Sequence, residues 1–117
     1  MKLYLNGTLV GELSEYGYET PWATARIAPA DAAAYKRLCA ASRFIAVDVE
    51  EDWGDLTREE EDREYARRLV KYGIAEANVD AFQSGQWEII NPGSSDHQGP
   101  VWVNECDERG WVTWRWG

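Results

Sequence analysis

At 117 residues, with 21 acidic and 12 basic side chains and a formal net charge of −9, the chain is sized for a single domain, 1–117, that folds without a metal or disulfide. No apolar run approaches the ~18 residues that a membrane span requires, so a soluble cytoplasmic protein with no membrane association is expected. The charge is concentrated: ten acids and two bases fall between Asp48 and Glu64, and a field of that sign repels nucleic acid and draws basic partners inward.

Lys2 to Leu13 reads as a tight hairpin, with Asn6-Gly7 supplying the two positive-φ residues of a type I′ turn. Large apolar side chains on both faces of these strands suit a sheet that is covered on both sides. Ser14 to Thr20 reads as a polar loop, and Trp22 to Ile27, after Pro21, as a third strand. Pro29 is placed to open a helix running to about Ser42, with Tyr35, Leu38 and Cys39 as its buried stripe. Phe44 to Val49 is a short apolar run of strand type.

A second helix is predicted from Thr57, which with Glu60 three residues on makes a capping-box pattern, to Gly73, which can take the left-handed closing conformation. Tyr65, Leu69 and Tyr72 give it a core face, and a further helical turn is placed around Val79 and Phe82. Trp87 to Ile90 is the next strand, and 91–100 a loop rich in Gly, Ser and Pro. The chain closes with an aromatic hairpin around Asp107-Glu108-Arg109-Gly110. If Gly110 takes the left-handed position of a type I turn with a bulge, facing positions sum to 218. Trp102, Cys106, Val112, Trp114 and Trp116 then share one face, and Glu105, Thr113 and Arg115 the other.

The opening hairpin over Leu3 to Val10, the Pro21-Trp22 step and the closing Trp114-Arg115-Trp116 together resemble short bacterial proteins that share this layout. The resemblance implies a bacterial or phage origin and one α+β domain, and it brings no activity with it.

No catalytic or cofactor constellation is complete. Asp48, Glu50, Asp52 and Glu59 occupy positions 1, 3, 5 and 12 of a calcium-loop spacing, but Trp53 stands where the hinge glycine is needed. Ser94, Ser95, Asp96 and His97 are contiguous in one loop, whereas a triad is assembled from separated rigid positions, so they read as a polar turn. Cys39 and Cys106 have no metal or redox spacing and read as two small buried thiols.

The acids are different. Glu59, Glu60 and Glu61 suit the start of a helix, and Glu59 with Arg63 and Glu64 with Arg68 form ordinary four-residue pairs. Asp48, Glu50, Glu51, Asp52 and Asp55 have no local partners, and folding gains nothing from crowding them.

The expected fold is therefore α+β, a mostly antiparallel sheet of about six or seven strands with two main helices, near 29–42 and 57–72, packed on one face. The expected function is that of a non-enzymatic acidic protein, of inhibitor or immunity type, that covers a basic site on a partner protein such as a nuclease toxin or defence effector. It needs no cofactor or metal. Glu50, Glu51, Asp52, Trp53 and Asp55 would carry the contact, with Glu59, Glu60 and Asp62 extending the field. The alternative is a small-ligand binding domain whose pocket, between sheet and long loop, uses Asp96, His97, Trp111 and Arg115.

Overall fold

The computed structural model describes residues 1–50 and 54–117, with the side chains of 48–50 outside the description. Among these residues the elements run β1 (Lys2–Leu5), β2 (Thr8–Glu19), β3 (Trp22–Pro29), α1 (Ala32–Glu50), α2 (Arg58–Tyr72), α3 (Glu76–Ser84), β4 (Trp87–Ile90), β5 (Gly99–Cys106) and β6 (Trp111–Trp116). The mixed helix and sheet class is as expected, with every strand pair antiparallel, but the sheet has no free edge. It closes into a barrel in the order β1-β2-β3-β6-β5-β4. Two three-strand meanders meet along β1–β4, where Leu3 faces Ile89, and along β3–β6, where Ala23 faces Trp114.

Because β3 ends and β4 begins at the same end of the barrel, the helical segment between them leaves and returns there. Tyr35 and Cys39 of α1 and Val79 and Phe82 of α3 join Leu3, Leu5, Ile27, Trp87, Val112 and Trp114 in one core. Hydrogen bonds tie this end, among them those of the Tyr35 hydroxyl, which donates to the Asp107 carbonyl at 2.7 Å, and of Trp87 Nε1, which donates to the Phe82 carbonyl at 3.0 Å. The opposite end holds the turn between β2 and β3 and the 91–98 loop.

The expected pair of helices on one face gives way to three. The first and third lie at the barrel end, and α2 meets α1 through Phe44, whose ring lies 5.9 Å from those of Tyr65 and Tyr72 in edge-on geometry. The molecule is accordingly long, 51 × 29 × 23 Å.

Local signals hold where a few contiguous residues decide the backbone. Asn6 and Gly7 take φ of 52° and 81° between Leu5 and its partner Thr8. Thr57 Oγ1 accepts from the Glu60 amide and donates to the Glu60 carboxylate. Gly73, at φ 67°, ends α2 with its amide on the Val70 carbonyl and that of Ile74 on Leu69, so two orphan carbonyls are satisfied.

Four expectations are corrected. Pro29 ends β3 instead of opening α1, whose cap is Asp31, with Oδ1 accepting from the Ala34 amide at 3.0 Å. Phe44 to Val49 is not a strand but the continuation of α1. Buried Tyr35, Cys39 and Ser42 keep the helical spacing up to it, and a short apolar run looks the same in either state. Ser14 to Thr20 is for the most part strand: Glu15, at φ 53°, makes a bulge, after which Gly17, Tyr18 and Glu19 pair with Thr24, Ala23 and Trp22.

The fourth correction concerns the closing hairpin. Cys106 faces Val112 and Glu105 faces Thr113 in the anticipated register, with Gly110 at φ 92°. A bulge between Val103 and Glu105 then shifts the remaining pairs by one, so Trp102 faces Arg115. A one-residue shift moves every later side chain to the other surface. Val101 is buried, and Trp102 is 71% exposed on the outer face.

Gly11 marks the tightest passage of β2 over β3. A Cβ there would lie 2.6 Å from the Ala28 carbonyl oxygen and 2.7 Å from Ile27 Cγ1. Gly11→Ala is expected to lower unfolding stability by about 1–3 kcal/mol in urea denaturation. Val70→Ala, on a side chain that is 83% exposed, should stay within about 0.5 kcal/mol.

Candidate functional site

The acidic segment spans the end of α1 and the start of α2. Glu50 is the last residue of α1, with its side chain not described, and Glu51, Asp52 and Trp53 lie outside the described residues. Asp48 and Glu50 therefore belong to a helical turn and not to a strand entering a calcium loop. Among the described residues, no three His, Cys, Asp or Glu side chains converge as a metal-holding group, and no helix is long and apolar enough to cross a membrane.

Asp55, Glu59, Glu60, Glu61 and Asp62 are all exposed. The ion pairs of the described residues are Arg26–Glu15, Arg43–Glu108, Arg67–Glu64 and Arg68–Glu64, so Asp55, Glu59, Glu61 and Asp62 enter none. The anticipated Glu59–Arg63 pair takes another form, in which Arg63 Nε donates to the Glu59 carbonyl at 3.4 Å. Glu64 carries the local neutralisation instead. Arg67 grips it through Nη2 at 2.6 Å and Nε at 2.9 Å, and Arg68 Nε adds a third bond at 3.0 Å. These bonds, Arg67's foremost, lower the Glu64 carboxyl to about 2. Both arginines thus bond Glu64 along α2, and Glu59, Glu60, Glu61 and Asp62 of its first two turns are exposed.

Of the alternative ligand set, Trp111 lies at the helical end of the barrel and His97 at the other. His97 sits at the barrel end opposite the helices, with its ring 4.8 Å from Tyr16 and 6.2 Å from Trp116. Asp96 is tied within its own loop, its amide on Ser94 Oγ and its carbonyl on Asn91 Nδ2. Trp111 and Arg115 point outward from β6, alternating with buried Val112 and Trp114. Trp111 lies under the Arg26 guanidinium at 4.8 Å, near the helical end of the strand, and Arg115 lies 5.8 Å from the Trp22 ring.

Another opening is a cleft of about 740 Å³ between α1 and the β5–β6 hairpin, lined by Cys39, Ser42, Arg43, Cys106 and Glu108 among others. The Cys106 amide donates to Ser42 Oγ at 3.2 Å, and Arg43 bridges to Glu108 at 3.3 Å. Burial pushes the Tyr35 hydroxyl and the Cys106 thiol well above their ordinary values and raises the Cys39 thiol, so none is ionised near neutral pH. A thiol held in its neutral form is a poor nucleophile and a poor metal ligand. The cleft can offer hydrogen bonds and one ion pair, not a thiolate.

Sequence spacing missed two outward tryptophans, Trp22 and Trp102. A signal existed for the second: Val101 and Val103 alternate about Trp102 as an inward pair of β-branched residues would. Comparison with protein-family models, with curated proteins and with solved structures finds no match.

The geometry sets two expected outcomes. Cys39 and Cys106 should resist alkylation by iodoacetamide at mildly alkaline pH in the folded protein, and both should label when urea unfolds it; mass spectrometry counts the adducts. Glu64 titrates lower in the folded state than in the unfolded state, so its contribution is complete above the ordinary carboxylate value of 4.5 and is lost as pH falls through about 2. Glu64→Gln should therefore flatten the fall of the urea midpoint within that window, measured against wild type at matched pH.

Proposed function

We propose that this chain is a small acidic binding protein without catalytic function, of inhibitor or immunity type, that covers a basic site on a partner protein such as a nuclease toxin or a defence effector. The observation that carries the proposal is the state of the acids on and before α2: Asp55, Glu59, Glu61 and Asp62 are exposed and unpaired, on a helix that stands off the barrel. The first turn of a helix accommodates a carboxylate or two, but like charges three or four positions apart repel, so local stability does not account for the whole set. Long-range attraction would speed encounter with a cationic surface. In sequence the same patch continues through Glu50, Glu51, Asp52 and Trp53, where the tryptophan would supply desolvated contact area beside the charges.

The test replaces Asp55, Glu59 and Asp62 together by lysine and compares affinity capture from the source lysate at low and high salt. A basic protein held by the wild type, released by salt and not held by the variant is the expected result. The fold should survive, since each reversal near the helix start costs only about 0.3–1 kcal/mol. Equal capture by the two forms, with the variant folded by circular dichroism, overturns the proposal.

A further inference from the structure

Cys39 and Cys106 are far apart in sequence, one on α1 and the other at the end of β5, and both are 3% exposed. Tyr35, Cys39 and Ser42, at helical offsets of four and three residues, share one face of α1. The residues on either side of Cys39 in that stripe both bond the end of β5. The Tyr35 hydroxyl donates to the Asp107 carbonyl at 2.7 Å, and Ser42 Oγ accepts from the Cys106 amide at 3.2 Å. Cys39 lies between these two attachments, and both thiols line the cleft between α1 and the β5–β6 hairpin. Ionisation of Cys106 is opposed first by burial and next by Cys39, so the two sulfurs stand within electrostatic reach in a dry interior.

We propose that Cys39 and Cys106 are a redox couple, which closes a disulfide between α1 and β5 in an oxidising medium with the Tyr35 and Ser42 bonds kept. The oxidant is a small-molecule disulfide such as oxidised glutathione. One cysteine, as its thiolate, attacks that disulfide and forms a mixed disulfide, and the departing glutathione thiolate takes up the proton that the cysteine lost. The second cysteine displaces the remaining glutathione in the same way. Two S–H bonds of the protein are replaced by one S–S bond, and the glutathione disulfide, gaining two electrons and two protons, becomes two thiols.

Burial decides when this exchange takes place. The attacking species is the thiolate, and in the folded protein burial holds both thiols neutral. In the unfolded chain both are in water and ionise as ordinary thiols do, so exchange belongs to chains that are unfolded or have opened at this contact. The state of the couple is therefore set as the chain folds and is then protected from oxidant and reductant alike. The bridge ties α1 to the barrel covalently, and it does not depend on what the acidic helix binds.

The experiment unfolds the full chain in urea, refolds it with oxidised glutathione or with dithiothreitol, and maps its peptides by mass spectrometry without reduction. The expected result is a peptide pair joined through Cys39 and Cys106 after oxidative refolding alone, with native indole N–H resonances in both forms and a higher urea midpoint for the bridged one. Cys39→Ser and Cys106→Ala should each abolish the joined pair and the gain in midpoint. Oxidised glutathione added to the folded protein should join the pair about ten-fold more slowly than it does during refolding. Glutathione adducts or cross-linked dimers in place of the internal bridge overturn the proposal. A bridged form that has lost the native indole resonances, or whose midpoint is lower than that of the dithiol, overturns it too, because a bridge that fits the contact leaves both elements in place.

Discussion

The seam between β3 and β6 is where this barrel closes, and its packing depends on a size match. Ala23 and Ala25 face Trp114 and Val112 across the seam, and all four are 0% exposed. A methyl side chain on one strand leaves the volume that an indole on the other fills, so a side chain as large as Trp114 can lie wholly inside a six-stranded barrel. Tyr16 and Trp116 pack around it, their rings 6.0 and 5.8 Å away, and Trp116 Nε1 donates to the Tyr16 hydroxyl at 3.2 Å. Trp114 Nε1 itself finds no partner among the described residues, a local cost accepted within an otherwise apolar interior.

Closure has consequences beyond stability. With β1 paired to β4 and β3 to β6, every strand of the described residues has a neighbouring strand on both sides over part of its length. Inside and outside are then fixed by alternation alone, and each bulge changes which residues face water. The bulge in β5 turns Trp102 outward, and the bulge at Glu15 returns Tyr16 to the interior and brings the Glu15 carboxylate to Arg26.

The helices answer to the same constraint. They are anchored at the end where β3 stops and β4 starts. Tyr35, Ser42 and Phe82 connect to the barrel by hydrogen bonds, while α2 meets α1 through ring contacts to Phe44 and adds Leu69 to the core. Charge is distributed along the same axis. The barrel interior is apolar, Glu64 is satisfied by two arginines, and the unpaired acids are displayed on the part of the molecule that stands off the core. An acidic surface so placed does not load the folding core with desolvated charge.

What the amino-acid order determined by itself is the set of features that a handful of neighbouring residues can enforce: the Asn6-Gly7 turn, the Thr57 and Gly73 caps, the Gly110 bulged turn, and the strand and helix at 87–90 and 76–84. These are positive-φ residues, side-chain caps and short periodic runs, whose energies are local. The acidic patch was legible for the same reason, since charge is counted along the chain, although Glu51, Asp52 and Trp53 lie outside the described residues. Only the tertiary structure decided that Phe44 to Val49 is helical, that Trp102 faces water, that His97 and Trp111 lie at opposite ends of the barrel, and that the sheet closes. Each of those outcomes rests on contacts between residues tens of positions apart, where packing against a distant partner outweighs the preference of the segment itself.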